Sequence, residues 1–189
     1  MIDRIEKILQ GMLSDPSVAV RLAASAALDK LRGKKSVSSY FQTLKTGALE
    51  ERVRVVFVAE EIGGSEGQSL LLAALSDRDK EVRGAAVRAL ESSLTGPVLK
   101  AMVARLTGEV GVVLGNLLEA LGKSRRKELA PIVEKYLEHP DAEVRGKAIQ
   151  AFARVADNTR WEKILPHAAE KDETVRAAVA RALAEWSSA

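Results

Sequence analysis

Apolar residues along this chain return at every third and fourth position and almost never alternate with polar ones. That spacing lays them on one stripe of an α-helix and gives no expectation of strands. The string EVRGAAVRAL at 81–90 shows the pattern, and EVRGKAIQAF at 143–152, TVRAAVARAL at 174–183 and AVRLAASAAL at 19–28 repeat it. Ahead of each such segment lies another amphipathic one, at about 2–13, 36–46, 66–76, 97–107, 126–138 and 159–170. Turn signals fall between the pairs at Gly33, Gly63-Gly64, Gly96-Pro97, Gly122 and Asp157-Asn158. The chain therefore predicts helix, short turn, helix, longer turn, over and over.

Valines fix the period. Val20, Val82 and Val144 stand 62 residues apart, and Val175 follows 31 later. Halving the interval points near 51 and 113, where EERVRVVFVAEEI places Val53 and EVGVVLGNLLEAL places Val112. With these, the six anchors are separated by 33, 29, 30, 32 and 31 residues. Recurrence at about 31 residues is the mark of a solenoid, in which each unit buries its apolar face on its neighbours. Three residues before the anchors sit Ser17, Glu50, Asp79, Glu109, Asp141 and Asp172, all able to accept from free N–H groups of a first turn. One residue after them stand Arg21, Arg54, Arg83, Arg145 and Arg176, with Val113 in the fourth copy.

The repeated acidic-x-x-Val-Arg-x-x-Ala-x-x-Ala-Leu resembles HEAT repeats, and the short repeats of the phycobilisome-lyase type most of all. That resemblance covers the whole chain. It implies an all-α fold, a right-handed α-solenoid of six hairpins within one domain at 1–189. The repeats would be 1–32, 33–64, 65–94, 95–123, 124–156 and 157–189. It also implies that the second helix of each pair lines a concave face. In this reading Arg21, Arg54, Arg83, Arg145 and Arg176, with Asp79, Asp141 and Asp172, form a structural ladder tying unit to unit.

Composition narrows the function. Cysteine is absent, which removes disulfides and thiolate metal sites. No apolar run approaches the ~18 residues of a membrane span, and the start carries charges among its apolar positions, so a soluble cytoplasmic protein is expected. The 29 basic and 26 acidic residues nearly balance. A net charge of +3 decides nothing about nucleic acid unless the cations cluster. Two clusters do occur at turns of equivalent place: Lys30, Arg32, Lys34 and Lys35, and Lys123, Arg125, Arg126 and Lys127.

Candidate chemistry is sparse. His139 and His167, the only histidines, stand beside prolines without a second histidine or a carboxylate at metal-ligand spacing, and are expected to be exposed turn residues. Gly63-Gly64-Ser65-Glu66-Gly67 follows a helix and lacks the lysine of a phosphate loop. No catalytic group and no cofactor are expected. Positions two, six and nine after the anchors should face the groove, which nominates Leu22, Ala26 and Asp29, then Gly84, Arg88 and Glu91, then Gly146, Gln150 and Ala153, and Ala177, Arg181 and Ala184. On the same rule Val55, Leu114 and Leu118 form an apolar floor near its middle. At the C-terminus, Trp186 is expected to fold back as a cap; the protein is a monomer or a weak dimer through that end. The leading expectation is a non-catalytic scaffold that grips a protein partner. Two others stand beside it: DNA binding along the basic turns, and assistance in attaching a chromophore.

Overall fold

In the computed structural model the backbone is described for residues 2–187, and the side chains of these except 2, 29, 30, 32–36, 158 and 187. The described chain is all-α: ten helices and three 3-10 segments, with no strand among the described residues. It forms two compact units, residues 1–55 and 56–189.

Residues 1–55 hold α1 (Ile2–Met12), α2 (Val18–Thr46) and the first half of α3 (Leu49–Ile62). Helix α1 lies against α2, whose Ala24 and Leu28 are buried. One helix spans 18–46 where the sequence predicts a break at Gly33 between two helices. The reason is energetic. No proline stands in the segment, and a lone glycine costs a helix interior only about 1 kcal/mol. Helix α3 opens with Glu51 reaching back to accept from the Ala48 N–H at 2.9 Å, half of a capping box.

Residues 56–189 hold the rest of α3, then α4 (Gly64–Ala74), α5 (Lys80–Leu90), α6 (Gly96–Arg105), α7 (Gly111–Lys123), α8 (Ala130–Glu134), α9 (Ala142–Val155) and α10 (Glu173–Ser187). First helices pack on second ones: α4 on α5, α6 on α7, α8 on α9. Second helices also pack in series, α5 on α7, α7 on α9 and α9 on α10. Val82, Val87, Leu117, Leu118, Leu121, Ile149, Phe152 and Val175 fill the shared interior at 0% exposure. Ahead of α10 the predicted helix is instead a 3-10 segment, Asn158–Ala169, because Pro166 lies inside it. Proline has no N–H for the carbonyl four residues back and its ring collides with that carbonyl, so an α-turn fails there.

Three second helices start alike. The carboxylates of Asp79, Asp141 and Asp172 accept from the N–H groups of Glu81, Glu143 and Thr174 at 2.8–2.9 Å. Helices α7 and α9 come closest at Gly122, where a Cβ would stand 2.7 Å from Ala151 Cα. Glycine is required by that approach. Gly122→Ala is expected to lower stability by about 1–3 kcal/mol through overpacking, read as a lower urea midpoint; an unchanged midpoint would mean the helices part freely.

Trp186 does fold back, meeting Phe152 edge to face with ring centroids 6.4 Å apart, and Val179 is buried. No helix of the described residues is long and apolar enough to cross a membrane.

Candidate functional site: the face of the second helices

Burial sets the register of every repeat. Val112 is 63% exposed, whereas Val113 is 6% exposed and packs inward. In the second copy Val55, Val56 and Ala59 are buried and Arg54 is exposed. Residues 20, 51, 82, 113, 144 and 175 are then equivalent, and each interval is 31. The anchors expected at Val53 and Val112 were displaced by two residues and by one. A one-residue slip turns a helical side chain by about 100°, which moves a residue from groove to core.

That rotation corrects the apolar floor. Val55, Leu114 and Leu118 are 3%, 1% and 0% exposed, so none is available to a partner. Leu118 occupies the core position of Val87 and Ile149. The apolar side chains that the fourth copy does present are Val110 and, on the second helix itself, Val112.

The arginine ladder takes a definite form. In four copies Nη1 donates to two carbonyls of the preceding turn, five and six residues back. The pairs are Arg21 to Asp15 and Pro16, Arg83 to Asp77 and Arg78, Arg145 to His139 and Pro140, and Arg176 to Glu170 and Lys171, all at 2.7–3.1 Å. Arg52, not Arg54, serves the second copy, donating to the Gly47 carbonyl at 2.8 Å. The fourth copy has Leu114 at this position and no such clasp.

Two of these arginines also reach the next repeat. Arg83 grips Glu109 through Nε at 2.6 Å and Nη2 at 2.9 Å, and Arg145 grips Glu170 likewise. Rungs therefore end on glutamates. Asp79, Asp141 and Asp172, expected to share the ladder, cap their own helices instead. Glu109 caps nothing, since Val110 precedes α7; it accepts from Arg83 and Arg105. Burial alone would raise the Glu109 carboxyl, but the hydrogen bonds from Arg83 and Arg105 outweigh it and hold the group below its ordinary value. Arg145 does the same for Glu170.

With the register fixed, three rows lie on one helical stripe, spaced i, i+3 and i+7. The middle row is Gly84, Gly115, Gly146 and Ala177. Beside it run Glu81, Val112, Glu143 and Thr174 on one side and Arg88, Glu119, Gln150 and Arg181 on the other. Between α9 and α10 these rows bound an open groove of about 280 Å³, lined by Glu143, Gly146, Lys147, Gln150, Thr174 and Arg181. Three sequence-nominated residues, Arg88, Gln150 and Arg181, belong to this stripe.

The glycine row differs from Gly122. A Cβ on Gly84 would meet Val113 at 3.6 Å, on Gly115 Lys147 at 3.5 Å, and on Gly146 Ala178 at 3.7 Å. These are ordinary contacts, so internal packing leaves room for alanine at all three.

Over residues 99–184 the sequence matches the family model for HEAT repeats. Residues 99–184 carry HEAT repeats. Among solved structures, the chain resembles an engineered protein at 20% identity and TM-score 0.53, covering 98% of this chain and 97% of that one. It also resembles a designed armadillo repeat protein at 18% identity and TM-score 0.53, covering 96% and 99%. Both likenesses support the all-α solenoid class and nothing finer. No curated protein matches the sequence.

At the repeat edges, cations are paired. Lys123 binds Glu91 at 2.6 Å and Glu119 at 3.0 Å, Arg125 binds Glu185 at 3.2 Å, Arg126 binds Glu128 at 3.4 Å and Lys127 binds Asp157 at 2.7 Å. The pairs with Glu91, Glu185 and Asp157 stitch neighbouring repeats, and all of these pairs would have to break before a phosphate could replace a carboxylate. The side chains of Lys30, Arg32, Lys34 and Lys35 lie outside the described residues. His139 sits in its turn as expected, accepting from the Asp141 N–H at 3.1 Å. His167 does not: it is 3% exposed, with Nδ1 2.6 Å from Glu170 and Nε2 3.4 Å from Glu138. Pro166 breaks the α-turn and the 3-10 path carries the imidazole inward. No group of three metal-ligating side chains occurs among the described residues.

Proposed function

We propose that this protein is a non-catalytic interaction scaffold whose HEAT repeats hold a segment of a protein partner across α5, α7, α9 and α10. The open groove between α9 and α10 carries the reading. Glycine inside a helix costs about 1 kcal/mol relative to alanine, and nothing in the packing at Gly84, Gly115 or Gly146 demands it. These three glycines are buried, so a bound segment meets the side chains that flank them. Arg88, Gln150 and Arg181 supply polar anchors along the stripe, and Val112 an apolar one. The exposed Glu81 and Glu143 on the opposite row disfavour a uniform polyanion such as DNA.

Gln150→Trp tests this without disturbing the core. It fills the groove between α9 and α10. Proteins captured from lysate by the wild type are expected to be retained at least about tenfold less well by the variant, a loss of about 1.4 kcal/mol, at unchanged thermal stability. Equal capture would overturn the reading.

A further inference from the structure

The polar row beside the groove is not uniform. Glu119 is held by Lys147 at 2.6 Å and Lys123 at 3.0 Å, so its charge is neutralised in place. Gln150 is neutral. Arg88 and Arg181, at the two ends of the row, are exposed and make no hydrogen bond or ion pair among the described residues. Every other arginine of the second helices from α5 onward is engaged: Arg83 and Arg145 in rungs, Arg176 in its turn, Arg154 with Glu185. These two cations therefore have no work inside the fold.

Arg88 and Arg181 occupy the same repeat position on α5 and α10, with α7 and α9 packed between. Helices pack at about 10 Å, which separates the two by roughly 30 Å. An extended chain advances about 3.3 Å per residue and turns alternate side chains to opposite edges. Side chains aimed at both arginines must then stand eight or ten residues apart.

Resting on the scaffold reading above, we infer that the bound segment is an extended peptide carrying two carboxylates about eight or ten residues apart, one on Arg88 and one on Arg181. Its backbone runs along the polar row, across Glu119 and Gln150 between the two arginines. The intervening stretch presents an apolar residue to Val112, and its other edge faces Glu81 and Glu143, which exclude further acids there. A highly acidic tract is thereby rejected along with nucleic acid, and an extended segment with spaced acids is accepted.

Selection from a displayed library of random 16-residue peptides tests the inference on the full chain. The expected binders are enriched in Asp or Glu pairs eight or ten apart, compete with one another, and lose at least tenfold in affinity on Arg88→Ala or Arg181→Ala. In the double variant Arg88→Glu and Arg181→Glu, both exposed positions, selection should return Lys or Arg pairs at the same spacing. Binders blocked by Gln150→Trp but showing no paired acids would overturn the inference and leave the scaffold reading standing. Binders indifferent to Gln150→Trp, or no binders at all, would sink both.

Discussion

Leu118→Asp is expected to unfold residues 56–189. The side chain is fully buried between second helices. Truncating such a leucine alone costs about 2–5 kcal/mol, and a buried carboxylate without a partner adds several more. Domains hold only about 5–15 kcal/mol in all. Helical circular dichroism and cooperative melting should both be lost at 25 °C. Val112→Asp is the control. At 63% exposure on the same helix, it should change stability by no more than about 0.5 kcal/mol. A folded Leu118→Asp protein, or an unfolded Val112→Asp one, would show the register to be wrong.

Arg83→Ala is expected to cost about 3–5 kcal/mol, the range for breaking a buried pair. The arginine binds Glu109, whose side chain is 2% exposed, and also clasps two turn carbonyls. Its removal leaves Glu109 with Arg105 alone. The effect should depend on pH with a definite sign. Because the folded protein holds the Glu109 carboxyl below its ordinary value, the rung contributes fully above the unfolded value of about 4.3. That contribution fades as pH falls further, through the lowered value. Urea midpoints of wild type and Arg83→Ala should differ most at neutral pH and converge in acid. A gap that persists unchanged in acid would mean the arginine acts only through the carbonyls.

The repeat itself was legible because its signals are local. Valine anchors, the Asp caps at 79, 141 and 172, and alanines at helical spacing all stand within one helix. Arg88, Gln150 and Arg181 fall on one helical stripe because they come from copies that keep the pattern. Copies two and four mislead, since Val53 and Val112 draw the anchors off the strict period. The 62-residue interval already pointed to 51 and 113; Glu51 caps its own helix and so hides the anchor. Leu114 and Leu118 looked like a patch only in the slipped register. Other features depend on partners far along the chain. That Arg83 ends on Glu109 rather than on an aspartate follows from packing between repeats. The unbroken α2 shows that a lone glycine is too weak a break signal, and the buried His167 follows from the 3-10 path that Pro166 imposes.

The groove reading requires one physical point: buried as they are, Gly84, Gly115 and Gly146 pack at distances that leave room for a Cβ. Thermal unfolding of the triple variant Gly84→Ala, Gly115→Ala and Gly146→Ala decides it. Removing three helix-interior glycines should raise stability by about 1–3 kcal/mol, a midpoint higher by several degrees, roughly 2–4 °C for each kcal/mol in a chain of this size. A lower midpoint would mean the glycines are needed by the fold, and the groove would lose its claim to a ligand.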